Sequence, residues 1–195
     1  MNGCLVLVTG ISAVGKTKLC EEIVKEWGGP QEIVHLNKDK TLEKYARMKG
    51  VTPEDILREY EKEREFVYDM YYRLAESELE KGRIVLLDNP HVKELVHDYP
   101  GWRERVNAIA ERTGSKLVFI KCFISDVEEF RKRMEKRGWK RDREKLKTEE
   151  TFRKFLEYEP LDFKAPDGSL AVDTVGKADI SKIIEFIKKS EGIKL

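Results

Sequence analysis

Long apolar runs are what this sequence most plainly lacks. Its opening hydrophobic stretch, Leu5-Val6-Leu7-Val8, is far shorter than the roughly 20 residues of a membrane span or the roughly 7–15 of an export-signal core. It also runs straight into a glycine-containing loop, so a cytoplasmic protein with no membrane partner is expected. An excess of one charge is lacking too. Lys and Arg number 38 against 37 Asp and Glu, a formal charge of +1, so no global field draws the chain to nucleic acid. Cysteine is scarce, and Cys4, Cys20 and Cys122 stand in or beside apolar stretches without CxxC or metal-ligand spacing, which predicts buried, reduced thiols. Side-chain amides are few, one Gln and four Asn beside 38 % charged residues, a balance typical of thermophilic proteins. Internal repeats, low-complexity tracts and Pro/Gly/Ser-rich linkers are absent. The 195 residues are enough for one compact domain, residues 1–195, with a sizeable core.

What is present is an alternation of short apolar runs with helical stretches. The runs Cys4–Thr9, Ile33–Leu36, Ile84–Asp88, Leu117–Phe123 and Leu170–Asp173 are almost continuous in Val, Ile and Leu, as parallel strands covered on both faces must be. A first helix should open at the glycine loop, turn Leu19, Ile23 and Val24 to the sheet, and stop near Gly28-Gly29-Pro30. Thr52-Pro53-Glu54-Asp55 reads as a cap with proline at the first helical position, opening a helix that runs to about Lys81. Further helices are expected over Trp102–Arg112, Asp126–Arg137 behind a Ser125 cap, Glu149–Tyr158 and Ile180–Lys189. Together these predict an α/β fold, a three-layer, doubly wound, mainly parallel five-stranded sheet. The charged run Lys140–Lys147 after Gly138-Trp139 reads as a mobile flap.

The chemistry begins at Gly10-Ile11-Ser12-Ala13-Val14-Gly15-Lys16-Thr17. This is the full GxxxxGK[ST] phosphate-loop pattern in its required setting, after an apolar strand and before an amphipathic helix. Gly10 and Gly15 let the backbone turn and approach phosphates, so that amides from about Ala13 and Val14 to Thr17 point inward, aided by the helix dipole. Lys16 is placed to reach the β- and γ-phosphates of ATP, and the Thr17 hydroxyl to bind Mg²⁺.

With this motif and this order of elements the chain resembles the P-loop kinase group, small phosphotransferases such as adenylate, shikimate, gluconate, polynucleotide and zeta-toxin-like kinases. The likeness in element order covers nearly the whole chain; the phosphate loop is its one specific motif. Asp88 ends an apolar strand, at the sheet edge where open α/β folds bind ligands; it can hold Mg²⁺ through water or polarise the acceptor hydroxyl, or simply cap the next segment. Asn89-Pro90-His91 resembles the group's substrate-facing turn, although a loop histidine is commonly just exposed. Asn37-Lys38-Asp39-Lys40 imitates the guanine-reading Asn-Lys-x-Asp, but Asp39 comes one residue early and the segment precedes the Asp88 strand. The resemblance instead implies that Asp39 takes the acceptor's proton; the alternative is a solvated turn carboxylate.

Arg131–Arg141 would form a small basic lid, spanning 131–148. Val127, Phe130 and Met134 share an inward stripe, with Arg133 and Arg137 along its edge, placed to offset charge on the transferring phosphoryl group. Arg141 and Arg143 are further candidates, and Glu128, Glu129 and Glu135 would balance a merely solvated face. Leu170–Thr174 resembles the group's last strand, which puts Thr174, Val175 and Gly176 near an adenine or else leaves a purely structural strand. Residues 41–81 occupy the acceptor side, where Tyr45, Arg47, Arg58, Tyr60, Arg64, Tyr68, Tyr71, Tyr72 and Arg73 either clamp a nucleoside or nucleic-acid end or, as their spacing favours, pack. The expected activity is Mg·ATP-dependent phosphoryl transfer to a hydroxyl acceptor by a monomer or homodimer, the alternatives being an ATP-hydrolysing switch and a catalytically idle nucleotide-binding module.

Overall fold

A computed structural model describes residues 2–53, 55–56, 61–89, 91–98 and 101–193, with residues 61–64 in their backbone alone. Of the residues singled out above, Glu54, Arg58, Tyr60, Pro90 and the side chain of Arg64 lie outside the described residues. Five strands, β1 (Cys4–Thr9), β2 (Ile33–Asn37), β3 (Ile84–Asp88), β4 (Lys116–Phe123) and β5 (Leu170–Asp173), pair in the order β2-β3-β1-β4-β5, every ladder parallel. β1 and β3 are buried along their whole length, which is why their sequences carry no polar alternation.

Helices bounded within the described residues are α1 (Lys16–Glu26), α2 (Lys38–Lys49), α3 (Glu61–Glu80), α4 (Val92–Val96), α5 (Trp102–Thr113), α6 (Val127–Arg137), α7 (Lys140–Lys145), α8 (Glu149–Tyr158) and α9 (Ile180–Lys189). α1 packs on α9, and α3 packs on α5 and on the sheet. The main core runs through the sheet and both helix layers, while Leu42, Ala46, Ile56 and Val67 form a small satellite with Tyr45. Among the described residues no helix is long and apolar enough to cross a membrane, and all three cysteines are free and buried.

Several expectations need correction. Ser125 does not cap α6; Asp126 does, accepting from the amides of Glu128 and Glu129 at 2.9 and 3.0 Å, while the Ser125 hydroxyl donates to Asp173. Asp, one residue nearer the helix, reaches both orphan amides with a charge that the dipole favours. Lys140–Lys145 is helix rather than flap, because Asp142 turns inward and is fully buried. The chain turns into α2 at once after β2, where a loop was expected, with the Asn37 side chain accepting from Lys40 N as the cap. Val24 and Val127 are 36 % and 40 % exposed, so the inward stripes are narrower than read, carried by Leu19 and Ile23 in α1 and by Phe130 and Met134 in α6.

Candidate functional site

Parallel pairing brings the carboxyl ends of β1, β3 and β2 together, with Val8 opposite Asp88 and Asn37 opposite Asp88. Gly10 leaves β1 under Cys122 of β4; a Cβ there would lie 2.4 Å from the Cys122 carbonyl oxygen, so only glycine fits. Ala13 (φ 71°) and Gly15 (φ 108°) take left-handed backbone, the conformation that curls successive amides into an anion-binding concavity. The Val14 amide, expected to face phosphate, closes a turn onto Ile11 O at 3.3 Å instead. Gly15 caps α1 with no side-chain hydrogen bond, and the first turn holds no acid, so the amides at this helix start have no competing carboxylate.

Lys16 folds into the loop and donates to Gly10 O (2.8 Å) and Ile11 O (2.9 Å), leaving one of its three N–H groups for a ligand oxygen. Burial pushes its pKa down, opposed chiefly by the charge of Asp88, so a bound anion would favour its charged form. Thr17 Oγ1 donates to Asp88 Oδ2 at 2.6 Å. Asn37 Nδ2 donates to the same oxygen at 2.6 Å and to Thr17 Oγ1 at 3.0 Å, and His35 Nε2 lies 3.4 Å away. Burial raises the Asp88 pKa, but the His35 contact, the Lys16 charge and the Thr17 hydroxyl outweigh it, and the net shift is downward. A hydroxyl and an ionised carboxylate side by side are the hard oxygen donors that Mg²⁺ takes, and with Lys16 and the uncapped helix start they fit Mg·ATP. Cys20, His35 and Asp88 also present ligand atoms within 4.8 Å of one another, but burial raises the Cys20 pKa and disfavours the thiolate a metal would need.

Asn37 and Asp142 pair directly with predicted site residues, and the sequence reading missed both. Asn37 sat inside a motif examined for guanine recognition, and its pairing with Asp88 follows from strand register alone. Asp142 lay hidden in a charge run, yet it holds Arg137 by two bonds of 2.6 Å, to Nε and Nη2. Arg137 further donates to Ser12 Oγ in the phosphate loop (2.9 Å) and stacks on Trp139, 4.3 Å from its ring centre. Arg133 braces more than it reaches: it donates to Glu129, Val14 O, Thr174 Oγ1 and Thr174 O at 2.7–3.1 Å. The Thr174 hydroxyl donates to Val14 O at 2.6 Å, and neither Thr174 nor Val175 nor Gly176 lines the cleft. Asp39 is ion-paired through one oxygen with Lys38 (3.2 Å) and through the other with Arg141 (3.7 Å).

All this opens into a cleft of about 1820 Å³, lined by Ser12, Ala13 and Gly15–Thr17 and also by Tyr68, Tyr72, His91, Trp102 and Arg105. His91 is not an exposed loop residue; it is 2 % accessible, with Trp102 stacked at 4.7 Å, and it shares a 3.1 Å hydrogen bond with Tyr72 Oη. Tyr71 belongs to the core and donates to Leu36 O and Asp88 O, both at 3.1 Å, bracing the two strand ends that carry the site.

A parallel five-stranded sheet with a phosphate loop after β1, an acid ending β3 and an arginine-bearing lid after β4 is the fold of the P-loop kinase group. More particularly, the model of the family described as AAA domain matches residues 5–161, and the chain belongs to that family. No curated protein matches it in sequence. Among solved structures it is similar to a protein of Chloroflexus aurantiacus assigned as a kinase (TM-score 0.68, 20 % identity, covering 96 % of this chain and 95 % of that one). It is similar also to the APS kinase of Mycobacterium tuberculosis solved with AMPPNP and APS (0.56, 15 %, 96 % and 99 %) and to a gluconokinase of Sinorhizobium meliloti (0.51, 15 %, 94 % and 89 %).

Proposed function

We propose that this protein is an Mg·ATP-dependent phosphotransferase that moves the γ-phosphoryl of ATP to a hydroxyl acceptor. The carrying observation is one cleft lined both by the Lys16, Thr17, Asp88 and Asn37 cluster and by the aromatic side chains of Tyr68, Tyr72 and Trp102. Its volume of about 1820 Å³ exceeds the roughly 300–1,000 Å³ of a one-ligand pocket, which suits two substrates bound end to end. Residues 1–195 act as one unit in this reading, with 41–81 on the acceptor side and 131–148 as the lid.

In the transfer an acceptor oxygen bonds to the γ-phosphorus, the bond from that phosphorus to the β,γ-bridging oxygen breaks, and the hydroxyl proton leaves to a carboxylate. Mg²⁺, when bound, neutralises phosphate charge. The chain's own groups do the rest. The α1 start and the remaining Lys16 N–H hold phosphate oxygens, and Thr17 with Asp88 holds the metal. Arg137, fixed by Asp142 and Trp139, has N–H groups left to meet charge building on the phosphoryl oxygens. Arg133 keeps the loop, α6 and the turn after β5 in register, and Thr174 supports the loop from behind. Asp39 takes the proton, its orientation set by Lys38 and Arg141. The buried, free thiols suit a reducing cytoplasm.

The test is transfer from γ-labelled ATP to pooled metabolites, nucleosides and 5′-hydroxyl oligonucleotides. Labelled product should appear with wild type and vanish with Lys16→Ala. Transfer surviving Lys16→Ala, or ATP hydrolysis with no acceptor labelled in any pool, would sink this reading.

A further inference from the structure

The cleft ends in a charge arrangement that the phosphate machinery does not use. The lid presents cations along its length: Arg137 over the phosphate loop at Ser12, Arg141 paired with Asp39 of α2, and Lys145, the last residue of α7, at the far end. There Lys145 Nζ and Lys93 Nζ of α4 both approach Glu159 Oε1, at 3.8 and 3.3 Å. Two ammonium groups thus converge on one oxygen of one carboxylate, and Glu159 is itself only 7 % exposed. Two ammonium charges meet one carboxylate charge, and Lys93, Lys145 and Glu159 all line the cleft. Of the other acids that line the cleft, Asp69 is engaged by Arg73 (2.7 Å) and Arg105 (3.5 Å), and Glu94 lies 3.9 Å from His91.

We infer that Lys93 and Lys145 form a binding site for an anionic group on the acceptor, a carboxylate or a phosphate, so that the substrate is a hydroxyl compound with an anionic end. The inference rests on the phosphotransferase reading for the word acceptor, but the anion site itself does not. Geometry and burial agree. Lys145, its side chain 25 % exposed, lies 3.7 Å from the Phe155 ring centre, so its ammonium is partly stripped of water and rests on an aromatic face; the more exposed Lys93 lies 5.2 Å from the Tyr158 ring centre. Burial lowers the Lys145 pKa, with Glu159 and then Asp142 opposing it. An incoming anion would repay that desolvation where a neutral polyol would not. Held there, such a substrate directs its hydroxyl along the cleft towards the nucleotide.

The decisive measurement is calorimetric titration of inorganic phosphate, acetate and glycerol into protein loaded with Mg²⁺ and AMP-PNP, after nucleotide loading has been verified by its own titration. Phosphate or acetate should bind saturably and glycerol should not; whichever anion binds better identifies the substrate's charged group. Lys145→Met and Lys93→Met should each weaken anion binding about tenfold, the loss of one charge-assisted contact, with nucleotide affinity retained. Glu159→Gln should tighten it, since it removes the competing carboxylate. That opposite sign separates a ligand site from a structural latch, in which all three changes would only lower the melting temperature. Absence of saturable anion binding, or binding indifferent to all three substitutions, overturns the proposal. Anion binding together with no labelled product in the transfer assay upholds the site and counts against the phosphotransferase reading. If nucleotide fails to load, the phosphotransferase reading falls, and the same titrations on the free protein, compared between wild type and Lys145→Met, decide the anion site alone.

Discussion

Asp88 Oδ2 is approached by Thr17, Asn37 and His35 in a position that is only 4 % exposed. Its folded pKa lies below the ordinary 3.8, so above that pH both folded and unfolded chains carry the charge and the stabilisation is fully present. As pH falls below about 4 the unfolded chain takes up the proton first, and stability is lost until the folded pKa is passed. Asp88→Asn should therefore cost about 3 kcal/mol at pH 7, the scale of breaking a buried charged network. Urea midpoints should show the gap between wild type and variant narrowing at pH 3. Gly10→Ala belongs to the same scale: a methyl 2.4 Å from a carbonyl oxygen and 2.9 Å from Val14 Cγ1 should destabilise by about 1–3 kcal/mol, read from the same midpoints. Burial pushes the Cys4 and Cys122 thiols up to about 12 and Cys20 well above its usual value, so thiol reagents at pH 7 should label none of the three until the chain is unfolded. The position of Asp88 was legible because an acid ending an apolar run has one place to go. Asn37 was not, since its partners are 20 and 51 residues away and meet it only through sheet order.

In the proposed function the lid is an element-scale device, the helices α6 and α7 joined at Gly138 (φ 66°), where the left-handed backbone that ends α6 favours glycine. In that reading its working part is the Arg137–Asp142 pair, with Asp142 a positioning residue. Asp142→Ala should lower kcat roughly 10- to 100-fold, within what misplacing a catalytic contact costs, with the KM for ATP changed little. In a double-mutant cycle Asp142→Ala with Arg137→Ala should be no worse than either alone, because both remove the same fixed guanidinium. Additive losses would mean that Asp142 acts through something else. The helix caps give a second check at this scale: Asp126→Ala should cost about 1 kcal/mol and Ser125→Ala distinctly less, measured by thermal melts. α6 was legible from its apolar stripe, Phe130 and Met134. α7 was not: six residues are too few for periodicity to register, and high charge density imitates a solvated loop when one buried acid organises it.

At the scale of the whole molecule, the central strands were readable almost to the residue because burial on both faces leaves Val, Ile and Leu no choice, while the half-buried edge strands β2 and β5 were read from shorter apolar runs. The partners of the lid were hidden in the linear order, since Arg137 meets Ser12 across 125 residues and Arg133 meets Thr174 across 41. Those long contacts tie the phosphate loop to β5 and the lid, so a ligand at the loop should be felt throughout the fold. At a concentration of 100 Kd a ligand that binds only the native state adds about 2.7 kcal/mol. In a chain of this size, about 2–4 °C per kcal/mol converts that into a rise of about 5–10 °C in Tm. Mg²⁺ with AMP-PNP should produce this rise in wild type and none in Lys16→Ala. With Asp88→Asn the nucleotide should still stabilise, but adding Mg²⁺ should bring no further gain, because the carboxylate partner of Thr17 is gone. If Lys16→Ala showed the full rise, the nucleotide would be binding somewhere other than the loop between Gly10 and Thr17.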